Sequence, residues 1–102
     1  MMSNPVIELV SVKTRPGVEE ADMLRAADGV MAFLSKARGF IRRELFRAGE
    51  NQWVDLIYWN SREEAEAALA QSMNQPSVQE MMSLLDESSL NMLHLDQVRT
   101  YQ

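Results

Sequence analysis

"NQWVDLIYWNS", residues 51–61, decides how this chain folds. The stretch alternates as a strand does, with Val54, Leu56 and Tyr58 on one side of the pleat and Trp53, Asp55, Ile57 and Trp59 on the other. An antiparallel sheet covered by helices on one side needs only one apolar face per strand. Here both faces are bulky and apolar, and one of them carries a carboxylate.

Upstream, "VIELVSVKT" (6–14) is rich in β-branched residues and reads as a first strand, broken by "RPG" (15–17). Between Val18 and Ala37 the spacing of Leu24, Ala27, Met31 and Leu34 predicts a helix, and Gly39 is placed to end its connection. "FIRRELFR" (40–47) is a second strand, "AGEN" (48–51) a tight loop and 52–60 a third strand. Ser61 followed by Glu64 is a capping-box pattern opening a helix that runs to about Met73. "NQPS" interrupts it, Val78, Met81, Met82 and Leu85 mark a second helical piece, and "LNMLHLDQVRT" (90–100) is the last strand. The order β-α-β-β-α-β is the ferredoxin-like α+β arrangement, a four-stranded antiparallel sheet with its helices on one face.

Pairing the second and third strands across 48–51 sets Arg47 opposite Gln52. Phe46 then meets Trp53, Glu44 meets Asp55, Arg42 meets Ile57 and Phe40 meets Trp59, all on one face. The opposite face holds Ile41, Leu45, Val54, Leu56 and Tyr58, with Arg43 out of place. This cleaner set is assigned to the helices. A buried unpaired charge is costly, so Glu8 is expected on the open face, with Val6, Val10 and Val12. Met92, His94, Asp96 and Val98 are expected there too, although the last strand fits in either parity. Four large aromatics on one open face, at about 150–250 Å² each, exceed the patch a monomer leaves in water. A second copy is the simplest cover, giving a homodimer in which two sheets close into a shared α+β barrel.

The 102 residues suit a single domain spanning 1–102. A net charge of −5 with scattered cations argues against a nucleic-acid partner. With no cysteine and one histidine, no thiolate chemistry and no metal site is expected. No apolar run approaches the roughly 20 residues of a membrane span, so no membrane partner is expected. "MMSNP" lacks a signal peptide's apolar core, which leaves the cytoplasm as the expected location.

His94 is either an ordinary strand residue or a general base, since an unperturbed imidazole titrates near neutrality. Asp96, two residues on, is placed to hold it cationic. Asp55, between two tryptophans, is either a buried acid or the partner of Arg42 or Arg43 in a cross-strand ion pair. Glu44 opposite it would bring two carboxylates together. Trp53 and Trp59 read as packing residues or as walls for a flat aromatic ligand, and Arg42 as a partner for that ligand's anionic oxygen. Met23, Met31, Met73, Met81, Met82 and Met92 read as adaptable filler, suited to a loosely specified apolar ligand should several line one pocket.

The "PG" after the first strand, "GFIRRELFR", "WVDLIYWNSREEAEAAL" and the closing "MLHLDQV" together resemble the antibiotic biosynthesis monooxygenase family of dimeric α+β barrels. The resemblance covers nearly the whole chain and is most specific from Trp59 into "S-x-E-E-A". It implies a homodimer with one cavity per protomer, between sheet and helices or within the barrel. The family includes cofactor-free oxygenases of aromatic polyketides, haem-degrading oxygenases and isomerases of small metabolites. Its haem-degrading members use an Asn in the first strand and a Trp and a His on the second helix. This chain has no Asn in 6–14 and no His or aromatic in 61–88, so the resemblance does not extend to haem degradation. Many other members carry a His near the position of "AALAQ" (67–71), which this chain also lacks.

The expected function is therefore that of a cofactor-independent monooxygenase, or a related isomerase, of a small aromatic or enolisable metabolite. Asp55 or His94 would be the base, Arg42 the anion partner, and Trp53 and Trp59 the walls. The alternatives are a non-catalytic small-molecule-binding dimer and a purely structural dimer with a filled barrel.

Overall fold

The computed structural model describes residues 4–102. The elements follow as β1 (Val6–Thr14), α1 (Glu20–Leu34), β2 (Phe40–Gly49), β3 (Gln52–Trp59), α2 (Arg62–Ser72), α3 (Pro76–Ser83) and β4 (Leu85–Asp96). The four strands form one antiparallel sheet in the order β2-β3-β1-β4, which is the ferredoxin-like topology. Ser61 caps α2 as expected, accepting from the Glu64 backbone N–H at 3.1 Å and donating to the Glu64 carboxylate at 3.0 Å. Pro76 opens α3, where a missing N–H costs nothing. On α1 the buried stripe is Met23, Ala26, Ala27, Val30 and Leu34, while Leu24 is exposed. Leu85, expected at the end of the last helix, instead starts β4 and is buried against Val12, Met23 and Trp53.

The face assignment is overturned. Along β3 it is Trp53, Asp55, Ile57 and Trp59 that are buried, while Gln52, Val54, Leu56 and Tyr58 are only half-buried. The helices therefore cover the tryptophan face. Two irregularities in the β2–β3 ladder explain the error. Gly49 pairs with Gln52 and Arg47 with Trp53, so Ala48 is an extra residue beside the Glu50–Asn51 turn. Asn51 takes the positive φ of 62° that this turn demands. A second extra residue, Ile41, lies between the Phe40–Trp59 and Arg42–Tyr58 pairs. A one-residue slip exchanges the faces of a strand. Between the two bulges, Arg43 and Leu45 turn toward the helices, and Arg42, Glu44 and Phe46 turn away.

The grouping of the other strands survives except at Val98, which lies beyond the end of β4 at Asp96 and is exposed. Val6, Glu8, Val10 and Val12 stand opposite Trp59, Ile57, Asp55 and Trp53, and Met92, His94 and Asp96 stand opposite Val10, Glu8 and Val6. These residues share one face as expected, but that face lies beneath the helices. Glu8, expected in the open, is only 6% exposed. The outer face now comprises Ile7, Leu9, Val54, Leu56 and Tyr58, with Phe46, Leu93 and Leu95 well exposed. It is as apolar as expected, with different members.

Gly39 has φ near +87°, and a methyl added there would come within 2.5 Å of the Glu64 side chain that helps cap α2. Gly39→Ala is expected to cost about 2 kcal/mol through backbone strain and displacement of that carboxylate. Urea unfolding checks it, and an unchanged midpoint contradicts it.

Candidate functional site

The space between sheet and helices is not continuously packed. One buried cluster gathers Val30, Leu34, Ile57, Trp59, Ala65 and Ala68, and another gathers Val12, Met23, Trp53 and Leu85. Residues of both clusters line a cavity of about 330 Å³. This lies at the small end of the range for ligand pockets, which is roughly 300–1,000 Å³. Both tryptophans reach it, as do Met23, Met73, Met81, Met82 and Met92. Thioethers on unbranched chains adapt to a ligand's outline at little cost. Trp59 is only 1% exposed, and Phe40 holds it edge to face with ring centroids 5.9 Å apart.

Against this apolar lining stand Glu8, Arg43, Asp55 and Ser72. Arg43, out of place in the sequence, has its partner here. Its Nε donates to Asp55 Oδ1 at 2.9 Å and its Nη2 to Asp55 Oδ2 at 2.7 Å, a bidentate pair running diagonally across the β2–β3 hairpin. Its Nη1 donates to the Ala27 carbonyl at 2.8 Å, and Nη2 also touches Met81 Sδ at 3.7 Å. Both side chains of the pair are buried, at 7% and 10% exposure. One guanidinium thus ties the sheet to the middle of α1 while neutralising Asp55.

Glu8 has no such partner among the described residues. Burial pushes its carboxyl above the usual 4.5. The indole N–H of Trp59 opposes this rise, the charge of Asp55 adds to it, and Arg43 opposes it more weakly. Trp59 Nε1 is buried without a hydrogen bond of good geometry, although it lies close enough to Glu8 to favour the carboxylate. On the far side, His94 is the cross-strand neighbour of Glu8, and its Nε2 is likewise buried and unpaired. Buried polar atoms are nearly always satisfied, so two unpaired nitrogens on residues directly across the sheet from Glu8 or beside it are notable. The Glu8 carboxyl can exchange a proton with a molecule bound among these apolar walls.

No protein-family model and no curated protein sequence matches the chain. Solved structures do. SnoaB, a cofactor-independent oxygenase from Streptomyces nogalater, superposes with a TM-score of 0.80 at 19% identity, covering 96% of this chain and 97% of that one. A candidate antibiotic biosynthesis monooxygenase from Bordetella bronchiseptica gives 0.80 at 19% identity over 94% and 99% of the two chains. The chain has the fold of the antibiotic biosynthesis monooxygenases. A dimeric ferredoxin-like protein of unknown function from Jannaschia shares it, with a TM-score of 0.66 at 10% identity over 91% and 99%.

Within this monooxygenase fold the expected site residues divide. Trp53, Asp55 and Trp59 line the cavity, and Asp55 is engaged by Arg43. His94 sits on the same face across from Glu8, and Asp96 ends that row in solvent. Arg42 and Glu44 are on the outer face, away from the cavity. Arg42 stacks 3.9 Å over the Tyr58 ring and lies 3.9 Å from Glu44. The expected juxtaposition of Glu44 with Asp55 does not occur, because the Ala48 bulge turns Glu44 outward. Glu8 and Arg43 were missed as cavity residues. Their signal was present: Glu8 and Asp55 each interrupt an apolar strand, and Arg43, flanked two residues away by Ile41 and Leu45, is a cation able to meet them. No cluster of three or more His, Cys, Asp or Glu suited to a metal ion occurs among the described residues. No helix among them is long and apolar enough to cross a membrane.

Proposed function

We propose that this chain is a cofactor-independent oxygenase of a small enolisable or phenolic aromatic compound, and that the cavity between sheet and helices is its active site. The observation that carries this reading is Glu8, a carboxyl buried among apolar walls with no cation of its own and a raised pKa. The oxygenase activity recorded for SnoaB supports the reading by analogy of fold.

Glu8 takes a proton from an activated methylene of the substrate, leaving a carbanion delocalised into its ring and carbonyl. Once Glu8 holds that proton, Trp59 Nε1–H, which had favoured its carboxylate, turns to the developing oxyanion. The carbanion passes one electron to O₂, and the resulting radical and superoxide combine into a C–O–O⁻ bond. The proton on Glu8 returns to give a hydroperoxide, which loses water to leave a carbonyl. The balance is one methylene and one O₂ in, one carbonyl and one water out, with no external reductant. Trp53 and Trp59 flank the flat ring, and the Arg43–Asp55 pair holds the wall in place.

Oxygen uptake with an anthrone tests the reaction. Turnover by the purified protein is expected, with stoichiometric quinone. Saturable tryptophan quenching by anthrone without oxygen uptake would leave a binding protein and remove the catalytic claim.

A homodimer belongs to the same proposal. Phe46, Leu93 and Leu95 are 47%, 48% and 38% exposed on an otherwise apolar outer face, and the Jannaschia protein of this fold is dimeric. The partner sheet packs on that face, so Arg42 and Glu44 contribute to the interface. Leu93→Glu is expected to shift sedimentation from dimer to monomer, and a wild type that sediments as a monomer contradicts the interface.

A further inference from the structure

We propose that the cavity selects uncharged ligands, and that the Arg43–Asp55 pair is the device that excludes carboxylates and phosphates. This deepens the reading above, since it takes the same cavity as the ligand site, but it concerns binding and not turnover.

Arg43 is the only lysine or arginine among the described residues that line the cavity. An arginine in an aromatic pocket ordinarily anchors an acidic ligand through a bidentate fork. Here the fork is already occupied. Asp55 takes Nε and Nη2, the Ala27 carbonyl takes Nη1, and Met81 Sδ sits against Nη2. The Ser72 hydroxyl is spent on the Leu69 carbonyl, and the charged group that remains toward the ligand is Glu8, whose charge repels a second anion. A ligand carboxylate would therefore lose its water without gaining a counter-ion, and would face Glu8 inside apolar walls. A phenol, ketone or ester suffers no such loss. It meets a donor in Trp59 Nε1 and, at the pH where Glu8 is protonated, a second donor in that carboxyl. Asp55 thus acts on specificity without touching the ligand's acid group, by withholding Arg43 from it.

The test uses three naphthalenes of nearly equal shape: 2-naphthol, methyl 2-naphthoate and 2-naphthoate, titrated at neutral pH against the fluorescence of Trp53 and Trp59. The naphthol and the ester are expected to bind within a few-fold of each other, and the carboxylate at least ~100-fold more weakly. Asp55→Asn releases the guanidinium and is expected to narrow the gap between carboxylate and ester by ~10-fold or more. Should Asp55→Asn not fold, the wild-type comparison stands alone. A carboxylate that binds wild type within threefold of its ester overturns the proposal, as does binding of none of the three by folded protein. So does tightest binding by 2-naphthylmethylammonium, which would make Glu8 the anchor for a cation. Selective binding without oxygen uptake from any anthrone leaves this inference intact and removes only the catalytic one.

Discussion

Glu8→Gln is expected to lower oxygen uptake with a turned-over substrate by about 10²- to 10⁴-fold, the usual contribution of a positioned general base. The amide keeps the shape of the side chain and removes its basicity, so substrate binding should change by only a few-fold. The same substitution should make the protein more stable at neutral pH. The folded-state pKa of Glu8 is raised above 4.5. Between these two values the folded protein keeps a proton that the unfolded chain has released, so wild-type stability falls as pH rises through that window. Below it the penalty is absent, and above the folded pKa it is fully present. Glu8→Gln has no such penalty. Its stability advantage over wild type should grow from below pH 4.5 toward neutrality, as measured by urea unfolding at several pH values. An inactive variant that is also less stable at every pH would make Glu8 a structural residue.

Arg43→Met is expected to destabilise the fold by about 3–5 kcal/mol, because it leaves Asp55 buried without a counter-charge. It also strands the Ala27 carbonyl, which loses the 2.8 Å bond that ties α1 to the sheet. Adding Asp55→Leu should restore most of the loss, since replacing both members of a buried pair with apolar groups is often neutral or better. Chemical denaturation of the two single variants and the double variant measures the coupling. Additive effects would mean that the pair, despite its bidentate geometry, does not act as a unit.

The fold was legible because its signals are local. β-branched runs, the Ser61–Glu64 cap, the Gly39 stop and Pro76 each mark an element, and their order allows few topologies. The side of the sheet that meets the helices was not legible. It depends on the count of residues at the β2–β3 turn, where Ala48 adds one, and at Ile41, which adds another. Neither residue carries a sequence signal of a bulge. Glu8 was placed outside because an unpaired buried charge is unfavourable, which holds for a residue kept only for stability. The residue that breaks this rule is the one to which a function is assigned here. An ion pair of Asp55 with Arg42 or Arg43 was one of the readings the sequence offered, and the Ala48 bulge, which turns Arg43 inward and Arg42 outward, decides for Arg43.

The central claim is that the ligand sits between sheet and helices, within reach of Glu8. A crystal structure with the anthraquinone product bound tests it most directly. The account predicts the ring system in the 330 Å³ cavity between the two tryptophans, with one of its oxygens within hydrogen-bond distance of the Glu8 carboxyl or Trp59 Nε1. A product molecule found instead on the outer face, among Leu56, Tyr58 and Leu93, would contradict it.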